Sequence, residues 1–307
     1  MWESGPRTAA MVFAPLTCRT RWEGAAVTVW LALIDALLLV WMWRRPIDWA
    51  KFLLLVVIVA SVPLILHLAL RTWAAFTLEY WVDRNSITVV WANARQVIPL
   101  GRIRRIIRGG VDNLSRTAWF HWPAPYLGST GRALGLLNIK LLSTRPLPEC
   151  LLLETDNAVF ALSPADADGF LASLQARHSL GPVAALEPVV LRNSPWDRVF
   201  HREAIGPLLL GAGLLGVLAL FGALMWQFPD LPEALAFHYN TDGLPDVVRE
   251  KDALFLLPSI GLLAWLANGA WGAWMALRDQ RTGAYMLWGG AIIVQAFSFM
   301  ALYTLIN

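Results

Sequence analysis

The sequence predicts an α+β integral membrane protein in which about five transmembrane helices carry an inserted β-rich domain. Of its 307 residues, 57% are hydrophobic and 15% are charged, whereas soluble globular proteins contain about 25% charged residues. Five apolar runs approach or exceed the roughly 20 residues that cross the hydrocarbon core of a bilayer. They are residues 25–43, 52–70, 205–226, 253–277 and 284–306. The long stretch between the second and third runs is rich in β-branched and aromatic residues, which favours strands.

The first apolar run is too long for a cleavable signal peptide, and no small-x-small cleavage site follows it. The distribution of Lys and Arg predicts the orientation. Residues 71–204 carry 15 Lys and Arg, whereas residues 227–253 carry two against six acids. Because basic connections stay in the cytoplasm, the N-terminus and the middle domain are predicted to be cytoplasmic and the C-terminus external. The connection 44–51 conflicts with this rule, since it would be external despite two Arg and one Lys.

The predicted organisation follows from these spans. It comprises a cytoplasmic N-terminal segment (1–24), a transmembrane hairpin (25–70), a cytoplasmic domain (71–190), an amphipathic linker (191–204) and a three-helix membrane domain (205–307) with an external loop (227–252).

The cytoplasmic domain is predicted to consist of strands followed by one helix. The predicted strands are 77–83, 86–92, 95–100, 138–143, 149–155 and 158–163. The segment SPADADGFLASLQARH (163–178) then predicts a helix. Ser163 is its expected N-cap, Pro164 its first residue and Asp166 its capping-box acceptor.

Two segments of this domain resemble bacterial PH-like domains that lie beside membrane helices. YWVDRNSITVVWANARQVIPLGRIRRI (80–106) is similar to the opening strands of that family, and ALSPADADGFLASL (161–174) to the entry of its closing helix. The resemblance covers about residues 77–178. It implies a split β-barrel closed by one C-terminal helix, interrupted here by the irregular region 109–135.

The external loop contains a polar stretch, LPEALAFHYNTDGLPD (231–246). Its Pro, Gly, Asn and Asp residues favour turns, so one interpretation is a rigid, capped loop. A second is recognition of an external peptide or a lipid head group by His238, Asn240 and Asp246. A third is a metal site built from His238, Asp242 and Asp246. We predict no metal and no cofactor, because the Gly and Pro residues prevent a regular helix from aligning these ligands.

The same stretch resembles a signature of SdpI-type membrane domains, over residues 205–275. The matching residues are Leu231, Pro232, His238, Asn240, Gly243, Pro245, Asp246 and Lys251. Ala236 departs from the pattern. The resemblance implies a shared fold with small membrane proteins, the best known of which confer immunity to a secreted antimicrobial peptide and help to signal its presence. With it, the predicted ligand-binding residues are His238, Asn240, Asp242, Asp246 and Lys251, shaped by Pro232, Gly243 and Pro245.

Four polar residues in the apolar runs are candidates for function, because ionisable and polar groups in a bilayer are costly. They are Asp35, His67, Asn268 and Gln295. Asp35 and His67 differ in depth by roughly 9 Å at 1.5 Å per helical residue, which argues against a direct pair. Asp35 is expected to bond instead to Asn268 or Gln295, as a structural contact or as part of a proton relay. The GAGLLG stretch (211–216) lies inside an apolar run, so it predicts close helix packing rather than a dinucleotide site.

Two further features suggest contact with a lipid surface. GRIRRIIR (101–108) presents four Arg beside Ile residues, and each such charge near an anionic surface contributes about 1 kcal/mol. The alternative is that the Ile side packs on the domain and the Arg side is solvated. The aromatic residues of the irregular region fit either an interfacial loop or buried packing. The Arg set is Arg102, Arg104, Arg105 and Arg108, and the aromatic set is Trp119, Phe120, Trp122 and Tyr126.

The sequence carries no HExxH, GxSxG or P-loop motif, so we predict that the protein is not an enzyme. The expected partners are the lipid bilayer, an extracellular peptide ligand and a cytoplasmic protein, and nucleic acid is not among them. The leading hypothesis is a sensor or immunity-type protein of the plasma membrane. The alternatives are a structural membrane scaffold and a small transporter.

Overall fold

The computed structural model describes residues 10–109, 121–131, 139–180, 190–192, 199, 204–239 and 245–306. The chain divides into two compact units. The first combines Met1–Leu33 with Val62–Asn193, and the second combines Ile34–Ser61 with Ser194–Asn307.

Within the described residues, five helices are long and apolar enough to cross a membrane, as predicted. They are α1 (Thr20–Trp43), α2 (Trp49–Phe76), α4 (Ile205–Gln227), α5 (Leu256–Leu277) and α6 (Arg281–Ile306), and another helix, α3 (Ala167–Leu180), is shorter. Most of these helices begin a few residues before the predicted apolar runs, because polar first turns such as Thr20–Glu23 are helical as well.

The described residues of the first unit include ten strands in two five-stranded sheets. The first sheet has the order β1-β2-β3-β4-β10, from Met11–Phe13, Glu79–Val82, Ser86–Trp91, Ala94–Pro99 and Val190–Arg192. The second has the order β5-β8-β9-β7-β6, from Ile103–Arg108, Leu151–Thr155, Val159–Leu162, Ile139–Leu142 and Leu127–Gly131. The β7–β9 pair is parallel and all other pairs are antiparallel.

The strands of the predicted split barrel do not close into a barrel among the described residues. A 3-10 turn at Leu100–Arg102 separates β4 from β5, and the chain passes there from one sheet to the other. The two sheets share a core cluster with α3, in which Tyr80, Ile98, Leu153 and Phe170 are fully buried. A second cluster of buried residues includes Ile139 and Leu152.

The start of α3 differs from the prediction. Asp166, not Ser163, caps the helix, because its carboxylate accepts a hydrogen bond from the Gly169 amide at 2.8 Å. Ser163 is buried and bonded elsewhere: its amide donates to the Tyr80 hydroxyl at 3.1 Å, and its Oγ accepts from the Thr144 amide at 3.0 Å. The sequence pattern therefore predicted the start of the helix one turn too early. Pro164 lies instead in a β-bridge with Pro15.

Strand β1 was not predicted, because three residues ahead of an apolar run carry no alternating pattern. It pairs with β2 from Met11 opposite Val82 to Phe13 opposite Tyr80. The following residues continue along the domain: the Thr144 hydroxyl donates to the Leu16 carbonyl at 2.6 Å, and Arg145 donates to the Thr17 carbonyl at 3.0 Å. The segment that precedes α1 is thus bound to the β-rich domain that follows α2.

In the second unit, α4, α5 and α6 pack where large side chains of one helix contact glycines of another. Trp265 of α5 lies against Gly213, where an added Cβ would approach its ring to 2.7 Å, and its indole N–H donates to the Leu210 carbonyl at 2.9 Å. Gln295 of α6 lies against Gly216 and Gly261. The prediction of close packing at 211–216 is confirmed for Gly213 and Gly216, whereas Gly211 faces open space.

The connection between α1 and α2 and the connection between α4 and α5 meet in the second unit. Ile47 belongs to the same apolar cluster as Phe228, Leu235 and Phe237. These two connections therefore lie at the same end of the unit.

Candidate functional site

On the two sides of residues 240–244, the described residues around the polar stretch form two antiparallel strands, called the hairpin below. Strand β11 (Ala234–Tyr239) pairs with β12 (Pro245–Glu250), from Ala234 opposite Glu250 to Tyr239 opposite Pro245. The register shifts on both sides of His238, which lies opposite Val247. Such irregularities re-aim side chains and are enriched beside binding sites.

The two strands of the hairpin have different surroundings. Leu235 and Phe237 of β11 pack against the apolar cluster at the ends of α4 and α6. Every residue of β12 is exposed, including Asp246 and the apolar Val247 and Val248. The hairpin thus has one anchored strand and one outer strand.

The described residues place only part of the predicted ligand-binding set. His238 lies in β11 and Asp246 in β12, on facing strands close to the turn. Asn240, Asp242 and Gly243 lie outside the described residues. The ligand-binding role and the metal alternative both remain predictions.

Lys251, whose ligand-binding role stays a prediction, contacts the base of the hairpin. Its ammonium group lies 2.9 Å from the Glu233 carboxylate and 5.0 Å from the centre of the Phe228 ring. Its amide also donates to the Glu233 carbonyl at 3.1 Å. Pro232 is exposed just before β11, and Pro245 begins β12, where the missing N–H costs little. Their predicted role in shaping the segment fits these positions.

The four basic residues at 102–108 lie at and within edge strand β5, but three of them are paired with acids. Arg105 lies 3.1 Å from Glu154, Arg104 pairs with Asp156, and Arg108 pairs with Asp168. Only Arg102, in the preceding turn, has no such acid among the described residues. The strand is therefore largely neutralised, which weakens its predicted attraction for anionic lipid.

The aromatic residues of the irregular region divide between the two interpretations. Tyr126 is half-buried and packs against a core cluster that includes Ile139 and Leu152, which fits the packing alternative. Trp122 is also half-buried. Trp119 and Phe120 lie outside the described residues.

The partner predicted for Asp35 was wrong. The Ser61 hydroxyl lies 2.5 Å from the Asp35 carboxylate and 2.7 Å from the Ile58 carbonyl. Counted from the facing ends of the predicted apolar runs 25–43 and 52–70, Asp35 and Ser61 lie at nearly equal depths, and that spacing could have identified the pair from sequence. Gln295 donates instead to the Gly261 carbonyl at 2.8 Å. Asn268 is half-buried on α5 and His67 is exposed on α2.

Sequence reasoning missed a contact that joins the end of α2 to the β-rich domain. The Arg71 guanidinium donates to the His121 carbonyl at 2.9 Å, to the Leu127 carbonyl at 3.1 Å and to the Ala124 carbonyl. A single Arg after an apolar run does not indicate these hydrogen bonds in the sequence, because the acceptors are backbone carbonyls about 50 residues away.

Two buried groups in the β-rich domain have shifted pKa values. Burial raises the pKa of Tyr80, whose hydroxyl donates to the Leu142 carbonyl at 2.8 Å. Burial also raises the pKa of the Cys150 thiol from 9.0 to about 11. Both groups are therefore neutral at physiological pH and act as core polar groups.

Comparison with known families supports one of the two resemblances. A family model described as a bacterial PH domain matches residues 78–178, about one third of the chain. This segment contains β2 to β9 and nearly all of α3. Comparison with curated proteins and with solved structures gives no match. The protein therefore combines a segment similar to bacterial PH domains, called the PH domain below for brevity, with five helices of membrane-spanning length. The likeness of residues 205–275 to SdpI-type domains stays a prediction.

Proposed function

We propose that this chain is a non-enzymatic integral membrane protein of sensor or immunity type. In this proposal the hairpin β11–β12 recognises an extracellular peptide, and the PH domain binds a cytoplasmic protein or the lipid surface. The observation that carries the proposal is the exposed outer strand β12 on an anchored hairpin, which offers both backbone groups and side chains to an extended ligand.

The packing within each unit supports a five-span topology. The segment before α1 pairs with the PH domain, so both ends of the α1–α2 hairpin lie on one side. The connection 44–51 shares an apolar cluster with the base of the β-hairpin, which supports placing both on one side in this proposal despite the basic residues of 44–51. If α4 crosses the bilayer once, as proposed, the PH domain before it is cytoplasmic and the hairpin after it is external.

The sidedness of the hairpin is the first experiment. An Asn240→Cys variant is treated in intact cells with a membrane-impermeant thiol reagent, with Cys18 as the cytoplasmic control because Cys150 is buried. We expect labelling at position 240 in intact cells and none at Cys18 until the cells are lysed. Labelling of 240 only after lysis would reverse the topology and remove the external-ligand proposal.

The recognition role is tested with the His238→Ala/Asn240→Ala double variant. Cells that produce either form are exposed to secreted antimicrobial peptides, and their growth is compared. We expect the variant to lose protection while its thermal unfolding is unchanged. Retained protection would contradict the sensor or immunity role.

A structural scaffold is the second candidate, and the Lys251 contacts favour it. The ion pair with Glu233 and the Phe228 ring fix the hairpin to the end of α4, as a purely rigidifying loop would require. A scaffold predicts that the double variant lowers the unfolding temperature and leaves growth unaffected.

A further inference from the structure

The start of α1 and the end of α2 form an aromatic cluster around one guanidinium. The Arg21 guanidinium lies 5.1 Å from the centre of the Phe76 ring and 5.9 Å from that of Trp22. The two rings contact each other edge to face, with centroids 5.0 Å apart. Both aromatic side chains are exposed, Trp22 by 63% and Phe76 by 39%.

Arg21 has donors that the described part of the protein does not use. Its Nε is buried without a hydrogen-bond partner, and none of the described acids forms an ion pair with it. The neighbouring cations are engaged: Arg19 lies 3.0 Å from Glu23, and Arg71 donates to three carbonyls. A guanidinium held between two exposed rings therefore still lacks an anion.

The position of the cluster limits what that anion can be. Trp22 and Phe76 lie at the first turn of α1 and the last residue of α2, where helices of this length reach the membrane–water interface. Aromatic rings at this depth contact the glycerol and upper acyl region, and Arg donates in a bidentate fashion to phosphate. The anion available at this depth is the phosphate of a membrane phospholipid.

We infer that Arg21, Trp22 and Phe76 form a binding site for the head group of an anionic phospholipid. The inference rests on the proposed membrane insertion, but not on the proposed role of the hairpin. It also places the lipid contact at the helix ends rather than on the basic strand β5, whose charges are mostly paired within the domain.

The test uses the full chain in nanodiscs that contain equal parts of phosphatidylglycerol and phosphatidylcholine. Native mass spectrometry after release from the nanodisc gives the ratio of the two lipids that stay bound. We expect Arg21→Gln to lower bound phosphatidylglycerol about fivefold, the effect of losing one interfacial cation. The matched control, Arg19→Gln, removes an equal charge two residues away from a side chain already paired with Glu23, and should leave the ratio unchanged.

Trp22→Leu keeps the charge and alters only an exposed ring, so it decides the question if Arg21→Gln does not fold. We expect it to lower the ratio as well. A wild-type ratio in Arg21→Gln or in Trp22→Leu, or an equal loss in Arg19→Gln, would overturn the site. Failure of the wild-type chain to enter nanodiscs would instead contradict the membrane insertion on which it rests.

Discussion

The PH domain and the three-helix bundle are built from the same apolar residue types, yet they differ in how many large side chains they expose. The bundle buries some large side chains, such as Trp288, but leaves many others exposed. In the PH domain, large side chains such as Ile87, Leu153 and Phe170 are fully buried. In the bundle of α4, α5 and α6, large side chains such as Leu208, Leu215 and Phe297 are exposed by more than 60%, while small residues line the helix contacts. Burial of large apolar side chains is favourable in water. In lipid their exposure is expected, because helices gain no hydrophobic free energy by burying them.

The hydrogen bonds of polar side chains also differ between the two regions. The PH domain links Tyr80, Ser163 and Thr144 of distant elements in a buried side-chain network. The bundle aims Trp265 and Gln295 at backbone carbonyls of neighbouring helices. In lipid, where no water is available, a polar side chain that bonds to a neighbouring helix satisfies its own hydrogen-bonding groups and stabilises the helix pair.

The largest effect is expected from a buried aromatic residue of the PH domain. Phe170→Ala removes the ring that packs edge to face on Phe13 at 5.2 Å and on Tyr80 at 6.3 Å. We expect a loss of about 3–5 kcal/mol in the free energy of unfolding of this domain, measured by denaturant titration. Phe297→Ala, an exposed Phe of α6, is the control and should change stability little. Equal losses would contradict the division between the two regions.

A smaller effect is expected from filling a helix contact in the bundle. Gly213→Leu forces a side chain into the place of the Trp265 ring and should cost about 1–3 kcal/mol, measured by thermal unfolding in nanodiscs. Gly211→Leu is matched in residue and helix but faces open space. A bundle that tolerated both substitutions equally would not be held by small-residue contacts.

The smallest effect is expected from alkaline pH, and only in the PH domain. The folded-state pKa of Cys150 is raised from 9.0 to about 11. Its neutral form is therefore favoured by folding, and stability is complete below pH 9 and declines as pH rises toward 11. We expect a loss of less than about 1 kcal/mol by about pH 9.5.

Cys150→Ala should flatten that decline in a series of unfolding curves between about pH 8 and pH 10. The raised pKa of Tyr80 adds a further decline above pH 10, its ordinary value. An equally steep decline in Cys150→Ala below pH 10 would contradict the assignment.

The sequence by itself determined the elements that repeat a pattern over many residues. Five long apolar runs predicted five helices, and β-branched and aromatic residues predicted β2, β3 and β4 to within two residues. Strand β1 was not predicted because it has only three residues. The hairpin β11–β12 was not predicted because the Pro, Gly, Asn and Asp residues of 231–246 indicated a loop.

Only the tertiary structure decided which polar groups are partners. Asp35 meets Ser61, Lys251 meets Glu233, and Arg71 meets three carbonyls of the PH domain. The basic strand β5 was visible in the sequence as a charged stretch, but the acids that neutralise it come from β8, α3 and the turn between β8 and β9. The physical reason is that hydrophobic periodicity is local along the chain, whereas the partner of a charge or hydrogen-bond donor is set by packing between segments far apart in sequence.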